Sequence, residues 1–229
     1  MVLRTIACVL LLALVPGSSS ETKTLVRFPK EEIEIEEWMK SHGWEDQRGN
    51  PKNFRVGNER LLMVSEDDSI AIGTEEGFPY DPYKTPILRF RFRIHRTPTG
   101  TDLSKKRKDD SAFRLYVAFD RDEGIFSPPH SIAYTWTEQL DVETVVESPH
   151  FSNLRYLSIG KGTPKNEQWI SIERNLLTDY RRLFGKEDGV PDLKGILLKC
   201  DSNNTGTSAK SEVAFVELLA EEKVAESKK

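Results

Sequence analysis

The feature that most constrains this chain is the alternation from Ile87 to His95, where Leu88, Phe90, Phe92 and Ile94 interleave with Arg89, Arg91, Arg93 and His95. Successive side chains of a β-strand point to opposite faces, so this segment carries one apolar face and one basic face. The apolar row needs a second layer to bury it, as in a two-sheet sandwich. Phe113, Leu115, Val117 and Phe119 repeat the pattern and turn Arg114 and Tyr116 the other way.

Similar short segments, separated by clusters of Gly, Pro, Asn and Asp, run over 53–56, 60–65, 69–73, 131–137, 154–159, 169–174, 194–200 and 212–219. Together they predict about eight to ten strands in an all-β sandwich. Two stretches depart from this. In Asn175 to Gly185 the residues Leu176, Leu177, Tyr180, Leu183 and Phe184 fall on one helical face, with Asn175 as N-cap and Gly185 as C-cap. Lys30 to Lys40 is read as a second short helix, although Ile33 and Ile35 suit a strand equally. Thr97 to Asp109, with the basic run Lys105 to Lys108, reads as an exposed loop. The organisation expected is a leader over 1–20, one β-sandwich domain over 21–220 and a charged tail over 221–229.

The leader is read from Arg4, the apolar run Thr5 to Val15 and the small residues Gly17 to Ser20, the pattern of a secretory signal peptide cleaved near Ser20-Glu21. The apolar run is about half the ~20 residues a membrane-spanning helix requires. Cys8 lies too early in it for a lipid-anchored cysteine. The expected location is exported, periplasmic or extracellular, with no transmembrane segment after cleavage. Cys200 is then the remaining cysteine, so no intramolecular disulfide staples the domain, and it reads as a buried, inert thiol. With 33 Lys+Arg against 37 Asp+Glu the formal charge is -4. No global basic field exists to attract nucleic acid.

Candidate chemistry centres on polar residues beside the apolar rows. Arg89, Arg91 and Arg93 form a positive ladder, and strands of matching parity offer Arg114 and Tyr116, then Tyr134, Trp136 and Glu138, then Trp169, Ser171 and Glu173. Arginines, carboxylates and aromatics on one sheet face can stack on a sugar ring and hydrogen-bond its hydroxyls or an acidic substituent. The same residues also make cross-strand Arg/Glu pairs on a solvated face. Asp109-Asp110 and Asp201-Ser202-Asn203-Asn204-Thr205 hold oxygens that suit either Asx-type turns or calcium, with Asp201 and Asn203 the calcium candidates. Otherwise no cofactor is expected. Asn203-Asn204-Thr205 also fits a glycosylation acceptor. His42, His95, His130 and His150 show no metal-ligand spacing, and no nucleophile elbow, Walker loop or dinucleotide fingerprint occurs. Asp110 or Glu138 would be the acid or base of an enzyme acting on envelope polysaccharide.

The strings 86–94, 109–119 and Tyr134-Thr135-Trp136, followed by Arg174-Asn175, Asp179-Tyr180, Phe184-Gly185 and 201–206, resemble an exported bacterial family, domain of unknown function number three thousand and forty-seven. The resemblance spans roughly Trp44 to Leu219. It implies an envelope or periplasmic protein with a jelly-roll sandwich similar to galactose-binding and carbohydrate-module folds. The matching positions are Asp109, Asp110, Arg114, Tyr116, Tyr134, Trp136, Arg174, Asn175, Asp179, Tyr180, Asp201, Asn204 and Thr205. Asn203 stands where the family often carries an acid, and Phe90 and Phe92 replace its usual tryptophans. From these positions Asp110 and Arg114 are expected to pair with Arg174, Asp179 or Asp201, as an architectural network or as a polar pocket. The leading expectation is a non-catalytic module that binds a glycan or acidic saccharide. An enzyme on envelope polysaccharide and a structural scaffold or protein-interaction module are the alternatives.

Overall fold

The computed structural model describes residues 22–74, 80–120, 129–187 and 189–221. The leader, its cleavage site and all of the tail beyond Glu221 lie outside them. Among the described residues, two sheets face each other. The first runs in the order β11 (Ile170–Asn175), β6 (Ile87–Arg96), β13 (Ser208–Leu219), β4 (Arg60–Glu66) and β3 (Phe54–Gly57), with β1 (Thr22–Arg27) also on β13. The second runs β2 (Trp44–Arg48), β5 (Ser69–Thr74), β12 (Leu193–Asp201), β7 (Ser111–Phe119), β8 (Ser131–Thr137), β10 (Leu154–Lys161) and β9 (Val145–Glu147). Every pair is antiparallel except β8 with β10, whose parallel register is reached through the long connection that contains β9.

The core forms where the alternating rows meet. Leu88, Phe90, Phe92 and Ile94 from β6 and Phe113, Leu115, Val117 and Phe119 from β7 are all fully buried. Phe92 stacks on Phe113 with ring centroids 4.4 Å apart, and Trp136 meets Phe92 edge-on at 5.7 Å. Each such side chain contributes about 1.5–3 kcal/mol on leaving water. Gly160 on β10 is required here, because a Cβ would lie 2.1 Å from the Trp136 ring. Cys200 is buried in the same core, and burial pushes its thiol up to about 12, out of reach of thiolate chemistry at neutral pH.

The helix α2 (Leu176–Phe184) begins and ends at the residues its sequence indicates. Asn175 Oδ1 accepts the Thr178 amide at 3.0 Å, and Gly185 adopts the left-handed φ of 66°. The helix near the N-terminus differs from expectation. It is α1 (Ile35–His42), and Ile33 instead bridges to Val56 beside β3. Trp38, packed between Phe28 and Trp44, fixes α1 over that edge, so burial of one aromatic overrides the ambiguous local pattern.

The central strand, β13, changes partner along its length. Ser208 to Val213 pairs with β4, whereas Phe215 to Leu219 pairs with β1. A bulge between Val213 and Phe215 marks the change and also shifts the register against β6. A bulge of this kind inserts an extra residue and re-aims the side chains beyond it.

Candidate functional site

The bulge decides what stands on the outer face of the first sheet. Glu212 lies opposite Arg93 and Glu217 opposite Arg89, so two glutamates at an odd spacing share one face. Both are buried. Glu217 accepts from Arg27 through Oε1 and from Arg89 Nη2 at 2.7 Å through Oε2. Glu212 accepts from Arg60 Nε at 2.8 Å and from Arg93 Nε at 2.7 Å. For each carboxylate, burial pushes the pKa up, but hydrogen bonds from Arg93 at Glu212, and from Arg89 and Arg27 at Glu217, with the nearby positive charge, outweigh it. Both therefore stay below the usual glutamate range.

Two half-buried aromatics complete this face. Arg93 and Arg91 lie over the Trp169 ring at 4.7 and 5.5 Å, and Arg27 and Arg89 lie over Phe215 at 5.2 and 5.9 Å. Where β1 and β4 meet beside β13, a groove of about 570 Å³ opens, lined by Arg27, Arg60, Arg91, Arg93, Trp169 and Phe215 among others. The Asn58-Glu59 turn at its rim holds both residues at positive φ, 54° and 58°, as a two-residue hairpin between β3 and β4 demands.

The remaining sequence candidates stand elsewhere, most of them in two separate networks. Arg114 points away from the core on the second sheet and is buried beneath the loop before β7. It donates to Asp109, lies over the Tyr156 ring at 4.6 Å, and approaches Asp201 to 3.9 Å. Tyr116 receives only a long 3.4 Å contact from it. Desolvation disfavours the guanidinium charge, but Asp109 and its neighbours hold the pKa well above the ordinary arginine value. Lys199 also pairs with Asp201, whose carboxyl is nevertheless pushed up by burial. Asp110 does not face Arg114. Its carboxylate accepts the Asn204 amide at 3.2 Å and both the amide and hydroxyl of Thr205 at 2.7 Å, closing the turn before β13. These are long-range bonds that tie the 202–207 turn to the start of β7, rather than the local bonds of the expected Asx-type turn. Asn203 is exposed on that turn, and among the described residues no three His, Cys, Asp or Glu gather to hold a metal ion.

The second network joins α2 to both sheets. Arg174 donates to Asp179 through Nε at 2.9 Å and Nη2 at 2.7 Å, and Tyr134 donates its hydroxyl to Asp179 Oδ2 at 2.9 Å. Glu143 bridges Arg174 and Arg182 at 2.5 and 2.7 Å. Of the expected pairings, Asp110 with Arg174 and Arg114 with Asp179 are not made, because these residues belong to different networks; Arg114 with Asp201 is. Tyr134 and Trp136 do not share a solvent face with the arginine ladder. They lie opposite Leu115 and Phe113 and point into the core, since β8 belongs to the other sheet. Glu138 accepts the Gly100 amide at 2.6 Å and ties down the 97–109 loop. That loop is exposed along much of its length, but Leu103 and Asp109 are buried under it. Trp44 is buried too, leaving Trp169 as the platform candidate the structure places in a groove.

The alternation identifies the ladder and Trp169, Ser171 and Glu173 beside it, and β11 does pair with β6. It does not identify Arg27, Arg60, Glu212, Glu217 and Phe215, because the bulge and the change of partner on β13 leave no local signal.

A family model described as "Protein of unknown function (DUF3047)" matches residues 42–217. The chain belongs to the DUF3047 family. Both networks and most of the groove fall within the span that defines this DUF3047 protein. No curated protein matches it in sequence. Among solved structures it is similar to the xyloglucanase domain of NopAA, a type three effector from Sinorhizobium fredii, in complex with cellobiose, at 10% identity and TM-score 0.41 over 78% of this chain and 91% of that one. It is also similar to a cellulase derived from Cel12A of Rhodothermus marinus, at 10% identity and TM-score 0.43 over 87% and 100% of the two chains. A carbohydrate-binding module that recognises mannan, TmCBM27, matches at 10% identity and TM-score 0.33 over 85% and 96%. Among the described residues of this DUF3047 protein no helix is long and apolar enough to cross a membrane.

Proposed function

We propose that this is an exported, non-catalytic module that binds a glycan in the groove on the outer face of the first sheet. The observation that carries this reading is the groove itself: two half-buried aromatics, Trp169 and Phe215, stand among arginines whose positions are fixed from below by buried glutamates. An aromatic rim supplies apolar contact for a sugar ring, and pre-oriented guanidinium forks supply hydrogen bonds without a large ordering cost. The carboxylates an enzyme would draw on as acid or base are held in other bonds, Asp110 by the 202–207 turn and Glu138 by Gly100.

Intrinsic fluorescence tests this directly. Of the four tryptophans, Trp38, Trp44 and Trp136 are buried, so a ligand in the groove is reported by Trp169. Titration with a panel of bacterial oligosaccharides is expected to change the emission and to raise the melting temperature. Stabilisation should reach about 2.7 kcal/mol at a hundred times the dissociation constant. Trp169→Ala should abolish both effects while the protein stays folded. Neither effect with any glycan of the panel would overturn the reading.

A further inference from the structure

The arginines of this sheet face are not equivalent. Arg27 and Arg89 share Glu217, and Arg60 and Arg93 share Glu212. Arg91, between Arg89 and Arg93 on β6, is exposed and has neither an ion pair nor a hydrogen bond among the described residues. Its register neighbours are Ser171 on β11 and Phe215 on β13, neither of which carries charge. Along the strand it stands about 7 Å from each of the other two arginines, at ~3.4 Å rise per residue. Glu173, itself exposed, approaches only Arg89, at 3.8 Å. Two buried carboxylates therefore orient four guanidinium groups, Glu173 and Glu59 stand at the edges of the face, and the fifth guanidinium, that of Arg91, is left without a carboxylate of its own.

Arg91 is nonetheless positioned. Its guanidinium carbon lies 5.5 Å from the centre of the Trp169 ring, within cation–π range, and its N–H donors, which make no hydrogen bond among the described residues, are available to a bidentate acceptor. The planar acceptor that fits such a fork is a carboxylate. We propose that the groove selects acidic saccharides, the Arg91 fork receiving the carboxylate of a uronic acid residue whose ring packs beside Trp169 and Phe215. This rests on the glycan reading above and narrows it to one class of sugar.

The test compares an oligogalacturonate with the same oligosaccharide after reduction of its carboxyl groups, and with inorganic polyphosphate, on the full chain. The acidic sugar is expected to bind at least tenfold more tightly than its reduced form, with the gap narrowing as salt screens the charges. Arg91→Gln should close that gap and leave the melting temperature unchanged, since the side chain has no carboxylate partner to lose. Equal affinity for the acidic and reduced sugars overturns this inference and leaves the glycan reading standing, whereas binding of neither overturns both. Polyphosphate binding as tightly as the oligogalacturonate also overturns it, by showing an anion patch that does not read sugar.

Discussion

Arg114 and Arg91 stand in opposite circumstances although each is the outward residue of an alternating strand. Arg114 is 1% exposed and its charge is balanced inside the protein by Asp109 and Asp201. Removing it strands buried carboxylates, and breaking a buried pair from one side costs about 3–5 kcal/mol. Arg114→Ala is therefore expected to lose stability of that order in urea unfolding, and a loss under about 1 kcal/mol would show that the pair is not structural. Tyr156 reinforces the same point. Its hydroxyl donates to Asp109 at 2.7 Å, and burial pushes its pKa far above the ordinary tyrosine value, so it stays a neutral donor.

At the scale of elements, the junction of β11 and α2 carries both a cap and a charge network. Asn175 ends the strand and caps the helix, Asp179 lies in the first turn, and Arg174 and Tyr134 both bind it from below. Asn175→Ala removes the acceptor for the Thr178 amide and should cost about 1 kcal/mol, measured as a lower denaturation midpoint with unchanged slope. The bulge in β13 does comparable work on the first sheet. Without the extra residue, Glu212 and Glu217 would fall on opposite faces, and one of them would enter the core opposite the phenylalanines of β6.

Across the whole molecule, acid should act through the clamped glutamates. Glu212, Glu217 and Glu143 have folded-state pKa values below their unfolded ones, held there by arginine partners against the effect of burial. Groups of this kind contribute stability that is fully present above the unfolded value, about 4.3, and lost as the pH falls through the folded one. Asp201, raised by burial, acts in the opposite sense, but it is one group against these three and Asp102, which its hydrogen bond from Lys105 holds down at about 2. The melting temperature is expected to be flat from about pH 7 to 5 and to fall below about pH 4. Glu212→Gln should flatten that fall, and an unaltered acid profile in the variant would remove Glu212 as a cause.

The two-sheet class, the buried row Leu88 to Ile94, the helix from Leu176 to Phe184 with both caps, and the outward ladder of arginines follow from the sequence alone, because each rests on a local period or a local cap. What the tertiary structure decided is which strands are neighbours. It separated Tyr134 and Trp136 from the ladder, sent Arg114 to Asp109 rather than to Asp179, and placed Ile33 beside β3 instead of in a helix. It also brought Arg27, Arg60, Glu212, Glu217 and Phe215 to one sheet face from segments far apart in the chain. The physical reason is that alternation fixes the face of a residue within its own strand, whereas sheet order, register and a single bulge fix whom it meets.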